Sequence, residues 1–479
     1  MVFLIILATI VLLIADAVTC FLTKIRFTET LPLMMMIIIG IFLINSLNVR
    51  FVFFIGGRPF TGQMIFITLL LVFFAVFRVF FSGHQTLADR WLFMFVSFFV
   101  AVTLISGLIN GSNSVRAITA VVAPLQTLIF TIVPMLLAFI IIDLLPRDRL
   151  AFQRVVSSFI LLCGVLLPYL MLSMAAGGGF IGRFFGWQIE AQASGFAGAS
   201  TVLGGRITSG MLVVLAYGFS LCRLLQTKKV RFLLPLVLCA MAILFSLSRS
   251  ALAVMIIFHI VFLGRIIRKH IGRVILLTIV GCVFAVIINR FLPEQYNFDR
   301  FFLRGDESSA IRMSGGKGAW MAFLSAPVLG HGPGLLYDVA RTSFLFAAPG
   351  KYDVPGYIII EGYASPLEPH NTYAFLAAEY GFLGLVIFIG YMIRLWRMTR
   401  IGALRKYVGN EDELYSITFN AIWISFFFGM YTHSIQLMNI KACFIFWLFA
   451  FSGVHWFHCC VLPQFDDEAF ANNPAELIT

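Results

Sequence analysis

Charge is scarce in this sequence, and acidic charge is scarcest: its 479 residues hold 22 Asp and Glu against 34 Lys and Arg, 12% charged in all. An average soluble domain is about 25% charged and about 45–50% apolar. Here 61% of residues are hydrophobic and the mean hydropathy is +0.98. A water-soluble fold of this size has too little polar surface to cover such a chain. The sequence also lacks HExxH, CxxC and any carboxylate cluster with metal spacing, which disfavours metal-dependent catalysis. The glycine cluster at 330–334 lacks the Gly-Lys-Ser/Thr ending of a phosphate-binding P-loop. Its eight cysteines lie mostly within or beside apolar runs and the long loops hold none, so neither a disulfide framework nor a metal site is expected. No internal repeat or low-complexity segment stands out, and no cofactor is implied.

Long hydrophobic runs are what the sequence does have. Crossing the hydrocarbon core takes about 20 apolar residues. By that measure spans fall at 2–22, 31–49, 62–81, 91–109, 118–142, 155–175, 207–224, 231–247, 250–267, 273–290, 372–395, 416–435 and 441–461. The 53 Phe spread along them suit lipid-facing helices better than one globular core. The fold class expected is an all-α polytopic membrane protein of about thirteen spans. Gly56, Gly57 and Pro59 punctuate the nearly continuous apolar stretch between the second and third. The first run has no basic region ahead of it and no clear cleavage site, so it reads as a retained helix.

The net charge of +12 raises nucleic acid as a partner, but its placement points to a membrane. Basic residues cluster in short gaps: Arg147, Arg149 and Arg154; Arg223, Lys228, Lys229 and Arg231; Arg265, Arg268, Lys269 and Arg273; Arg394, Arg397, Arg400, Arg405 and Lys406. These four gaps fall on one side when spans are counted between them, the cytoplasmic one by the positive-inside rule. The alternate connections are then external: the segment 176–206, the turn at 248–250 and the long loop 291–371. The acidic tail (Asp466, Asp467, Glu468) falls on the cytoplasmic side, and the odd span count puts the N-terminus outside. The division expected is N-terminal spans to 175, the interfacial segment 176–206, spans 207–290, the external loop 291–371, spans 372–461 and a tail from 462.

Candidate chemistry gathers at the external face. In Ser365-Pro-Leu-Glu-Pro-His-Asn-Thr-Tyr373, Pro369 favours an extended backbone before a helix that Asn371 or Thr372 can cap. His370 then stands at the positive mouth of a membrane helix, a setting that keeps imidazole neutral and able to take a proton. A polar residue resting at the boundary explains it equally. Glu379 lies about two and a half turns deeper, where an acid is costly unless paired, so a structural partner is the first explanation. Arg249, in Ser246-Leu-Ser-Arg-Ser, carries the wrong sign for an external turn and suits an anionic ligand; snorkelling to headgroups is the alternative. Arg206, after Gly204 and Gly205, is a second external cation. In the long loop, Arg312 and Trp320 share a helical face if 309–325 is a helix, and Pro327-Val-Leu-Gly-His-Gly reads as a compact turn with His331 structural.

In order, Arg312, Trp320, Pro327 with Gly330 and Gly332, His370-Asn371, and Glu379 with Gly381 and Gly384 resemble the O-antigen ligase and polysaccharide polymerase superfamily. The Ser248-Arg249 step resembles it too. The likeness covers roughly residues 200–450; around Arg206 the chain departs from the family pattern, lacking its Gly-x-x-x-Asn-Pro-Asn-like run. The resemblance implies a GT-C-like membrane glycosyltransferase of the bacterial inner membrane with its active site facing the periplasm. It implies a glycan donor on undecaprenyl diphosphate and a sugar hydroxyl as acceptor, on lipid A–core in ligases or on a lipid-linked repeat in polymerases. A single displacement then inverts the anomeric carbon. His370 would orient or deprotonate the acceptor, Arg249 and Arg206 would hold the diphosphate, and Arg312, Asn371 and Trp320 would contact substrate. The segment 335–365 makes the chain longer than many ligases, which favours an exopolysaccharide polymerase acting with export proteins. A ligase, a transporter or flippase, and a non-catalytic scaffold are the alternatives.

Overall fold

The computed structural model describes residues 52–55, 58–81, 90–113, 117–169, 171, 206–245, 248–266, 316, 318–333, 371–400, 410–432 and 440–464. The described helices are α1 (Gly62–Phe81), α2 (Arg90–Asn113), α3 (Ala117–Asp143), α4 (Arg149–Leu161), α5 (Arg206–Thr227), α6 (Leu233–Phe245), α7 (Arg249–Ile266), α8 (Thr372–Met398), α9 (Asn410–Thr432) and α10 (Ile440–Trp456). Each falls on an apolar run of the sequence. Helix α4 is capped by Asp148, whose carboxylate accepts from the Ala151 N–H at 2.6 Å, and it continues through a π turn over Leu162–Leu166. A second π turn, Phe457–Val461, extends α10. Stretches Arg149–Tyr169, Ser209–Thr227, Thr372–Met398, Glu411–Tyr431 and Cys443–Val461 are long and apolar enough to cross a membrane. The chain is an all-helical, multi-pass membrane protein. The spans expected at 2–22, 31–49 and 273–290 lie outside the described residues.

One local element departs from helix. Val52–Ile55 and Arg58–Thr61 pair antiparallel with Ile55 opposite Arg58, so the apolar stretch that the sequence punctuates here holds a short two-stranded ribbon. Pro59 sits opposite Phe54 in this two-stranded ribbon, where both strands are edges and a missing N–H is tolerated.

Lipid is as apolar as Phe, so helices inside a bilayer associate by close packing rather than by escape from water. The aromatic side chains supply that packing here. Phe419, Phe449, Trp423 and Trp456 are buried together, with Phe419 5.5 Å from both Phe449 and Trp456. Phe219 of α5 meets Phe419 edge-on at 5.4 Å, and Phe139 of α3 meets Phe451 of α10 at 5.4 Å. Six cysteines (163, 222, 239, 443, 459 and 460) lie buried as thiols in this packing.

The two ends of the bundle differ in chemistry. At one, Arg149 reaches Glu411 at 3.0 Å and Asp412 at 3.2 Å, Gln226 donates to the Glu411 carbonyl at 3.0 Å, and Arg223 approaches the Tyr415 hydroxyl at 3.4 Å. Arg394 stacks on Trp91 and Arg400 on Trp396. The Arg149 and Arg223 clusters meet at the start of α9, and Ser416 of α9 donates to the Thr399 carbonyl at 2.8 Å beside Arg397 and Arg400, which suits basic loops on one side of a membrane.

At the opposite pole α5, α7 and α8 begin and α9 ends. Gly429 of α9 is wedged there, and a methyl at its place would meet Met211 of α5 at 3.1 Å and Val254 of α7 at 3.4 Å. Tyr373 of α8 donates its hydroxyl to the Phe427 carbonyl at 2.9 Å. The 27 residues of Thr372–Met398 exceed the roughly 20 that a crossing of the hydrocarbon core takes.

Candidate functional site: three helix starts and a clasped helix break

The pole opposite the basic one holds the starts of three helices on which the sequence places candidate residues. Arg206 is the first residue of α5 and Arg249 the first of α7. Ser248 caps α7, its hydroxyl accepting from the Ala251 N–H at 3.2 Å. Asn371 caps α8 with an extended backbone, its side-chain oxygen accepting from the N–H groups of Tyr373 at 2.9 Å and Ala374 at 3.1 Å. The cap expected at Asn371 or Thr372 is thus Asn371. Met211 and Val254 each follow their arginine by five residues and both touch Gly429, so α5 and α7 enter the bundle at the same level. Three helix N-termini, each with partial positive charge, open at one pole. His370, next to the cap, and Arg312 lie outside the described residues, as do the side chains of Arg206 and Arg249.

Helix α8 is not continuous. Gly381 has φ +67 and ψ −168, which breaks the helix behind Tyr380. A broken helix exposes carbonyls on one side and N–H groups on the other, and inside a membrane no water satisfies them. The segment 327–332 supplies the partners. His331 and Gly332 donate their N–H groups to the carbonyls of Ala378 and Glu379 at 3.0 and 2.9 Å. Phe382 and Leu383 donate theirs to the carbonyls of Pro327 and Val328 at 2.8 and 3.4 Å. The turn and the break thus close each other's backbone in a four-bond clasp.

Two glycines make the approach possible. Gly330 has φ +70, and a Cβ there would run into the Glu379 carbonyl and come within 2.6 Å of the Gly381 nitrogen. A Cβ on Gly381 would run into the Val328 carbonyl and lie 2.6 Å from the Gly330 nitrogen. Each therefore needs glycine twice over, for its left-handed backbone and for the space. Gly332, with φ +100, completes the turn. Glu379 is fully buried at the end of the first half of α8, and its carbonyl takes part in the clasp.

His331 is structural, as its position in a turn suggests. Its ring Nε2 lies 2.9 Å from the Ala322 carbonyl and 2.7 Å from the Ser325 hydroxyl, tying the turn to the helix over 318–325. Trp320 on that helix is exposed and stacks at 5.3 Å on Phe323.

Sequence reasoning missed two features. One is the break at Gly381, whose signal was Glu-Tyr-Gly-Phe-Leu-Gly read as part of an unbroken span. The other is a polar pair between α5 and α7: the Tyr217 hydroxyl lies 2.9 Å from His259 Nε2, whose Nδ1 lies 2.9 Å from the Met255 carbonyl. As that carbonyl only accepts, Nδ1 carries the proton and Tyr217 donates to Nε2. The bond ties together the two helices that begin at Arg206 and Arg249.

Residues 234–389 match the family model for O-antigen ligase. The match takes in Arg249, Arg312, Trp320, both halves of the clasp and His370-Asn371, and leaves Arg206 outside. It supports the superfamily that the ordered motifs resemble, and with it glycan transfer of the O-antigen ligase and polymerase type. No curated protein matches the chain. The matched segment thus runs from α6 through the clasp to the second half of α8.

Proposed function

We propose that the protein polymerises lipid-linked oligosaccharide repeats at the periplasmic face of the inner membrane, using undecaprenyl diphosphate as leaving group. The observation that carries this reading is the gathering of three helix starts, two of them opening on arginine and the third next to His370, at the pole opposite the basic loops. Helix N-termini and guanidinium groups together favour a diphosphate, which carries its charge on oxygens spaced for bidentate contact. Arg249 and Arg206 hold that diphosphate and stabilise the charge that develops as the C1–O bond to phosphate breaks. His370 accepts the proton of the attacking sugar hydroxyl as the new C1–O bond forms on the opposite face. Arg312 and Trp320 contact sugar or diphosphate from the external loop, and Asn371 holds the first turn of α8 in place beneath the histidine.

The clasp bears on the transporter alternative. Transporters use unwound backbone at a helix break to bind ions or substrate near the bilayer midplane. Here the break in α8 is filled by the chain's own turn, which supports a fixed scaffold for an interfacial enzyme. The O-antigen ligase reading shares every residue role and differs only in the acceptor; the family match speaks for it, the long 335–365 segment for a polymerase. The product left by a deletion strain separates them. A polymerase deletion accumulates single repeats on the carrier. Full-length polymer on the carrier, with no loss of chain length, would replace the polymerase reading by the ligase.

A further inference from the structure

The helix over 318–325 belongs to the long external loop by sequence, yet its side chains are arranged inside out for a helix in water. Its small residues face the bundle: Ala319 and Ala322 are buried. Its large apolar residues face outward: Trp320 is 56% exposed and Leu324 54%, and Val328 in the following turn is 59% exposed. Trp320 and Leu324 lie four residues apart and so share one side of the helix, and Val328 is exposed in the turn that continues it. A helix packed on a water-soluble core turns its large apolar residues inward.

The clasp fixes where this face lies. His331 and Gly332 are bonded to Ala378 and Glu379, which lie about 7.5–9 Å along the unbroken first half of α8 from Tyr373 at 1.5 Å per residue. Tyr373 lies in the first turn of this helix, whose other end carries Arg394 stacked on Trp91. The turn at 327–332 therefore sits at hydrocarbon depth, not above the membrane. Non-helical backbone is tolerated there only where protein satisfies it, which is what the four clasp bonds do. Phe382, Leu383 and Val386 of α8 are themselves exposed, and the clasp sets Val328 beside the first two, so one apolar surface continues from the loop helix onto a membrane-crossing helix.

We infer that residues 318–333 form a re-entrant segment whose Trp320–Leu324–Val328 face docks on the lipid hydrocarbon of the leaflet at that pole. The partner is a lipid surface, and the inference stands independently of the glycan-transfer reading because it rests on depth and exposure alone.

The test is a depth measurement on the full-length protein in phospholipid vesicles. Leu324→Cys and, separately, Val328→Cys carry a nitroxide label, with Lys229→Cys in the exposed basic loop as the aqueous reference and labelled wild type as background. Both target side chains point away from the bundle, so neither substitution removes a packed group. The expected result is that collisions with dissolved oxygen exceed those with a water-soluble nickel chelate at positions 324 and 328, and that the order reverses at 229. Nickel accessibility at 324 and 328 equal to that at 229 would overturn the proposal.

Discussion

Replacing Gly381 by alanine tests the clasp at its tightest point. A Cβ there would collide with the Val328 carbonyl and sit 2.6 Å from the Gly330 nitrogen, while the φ of +67 becomes a left-handed alanine. The backbone strain alone costs about 1–2 kcal/mol. The turn at 327–332 must then retreat, and the three clasp bonds of 3.0 Å or less lengthen or open. At a net of about 1 kcal/mol per bond the whole change comes to about 4–5 kcal/mol, above the usual 0.5–3 kcal/mol of a point substitution. Gly390 is an internal control on the same helix, because a methyl there meets nothing within 4 Å. Gly390→Ala should leave stability unchanged or raise it slightly, as alanine is the better helix former. The assay is the apparent melting temperature of both variants in lipid nanodiscs, with protease accessibility of the 327–333 turn measured alongside. If Gly381→Ala melts with Gly390→Ala and its turn stays protected, the clasp is not holding the break closed.

Three further outcomes follow from named contacts. Asn371→Ser keeps a capping oxygen, so it should melt within about 0.5 kcal/mol of wild type, whereas Asn371→Ala should lose about 1 kcal/mol; loss of product in the serine variant alone would reveal a substrate contact beyond the cap. Asp412 is buried and holds Arg149, while Glu411 is exposed, so Asp412→Ala should lower the melting temperature clearly and Glu411→Ala barely, since exposed pairs contribute about 0–1 kcal/mol; equal effects would contradict the burial difference. Tyr217→Phe removes the hydroxyl that meets His259 and should cost about 1 kcal/mol in stability, read by melting, without changing the product made.

Much of the fold was legible because crossing a bilayer imposes a length and a composition that sequence states openly. Helices α1 to α10 fall on apolar runs, and the basic gaps at 147–154 and 223–231 come together with the end of α8 at 397–400, as their charge pattern implies. The hairpin at 52–61 was less legible, since Gly56, Gly57 and Pro59 announce an interruption without giving its form. The site divides in the same way. Asn371 as a cap follows from local chemistry, because its oxygen bonds N–H groups two and three residues on. The clasp does not: Gly330 and Gly381 are far apart in sequence, and their need for glycine arises only when one backbone lies on the other. The inside-out face of the 318–325 helix was hidden for a related reason, since a short run within a polar loop gives no sign of its depth until Pro327 and Val328 are seen bonded to α8.

On the proposed function, His370 carries out the transfer beside the start of α8. It is tested by product formation by purified protein in vesicles supplied with lipid-linked repeats, comparing wild type with His370→Ala at equal melting temperature and equal donor binding. The variant should bind the lipid diphosphate as wild type does and make no polymer or transferred glycan. Product at the wild-type rate from His370→Ala would contradict it.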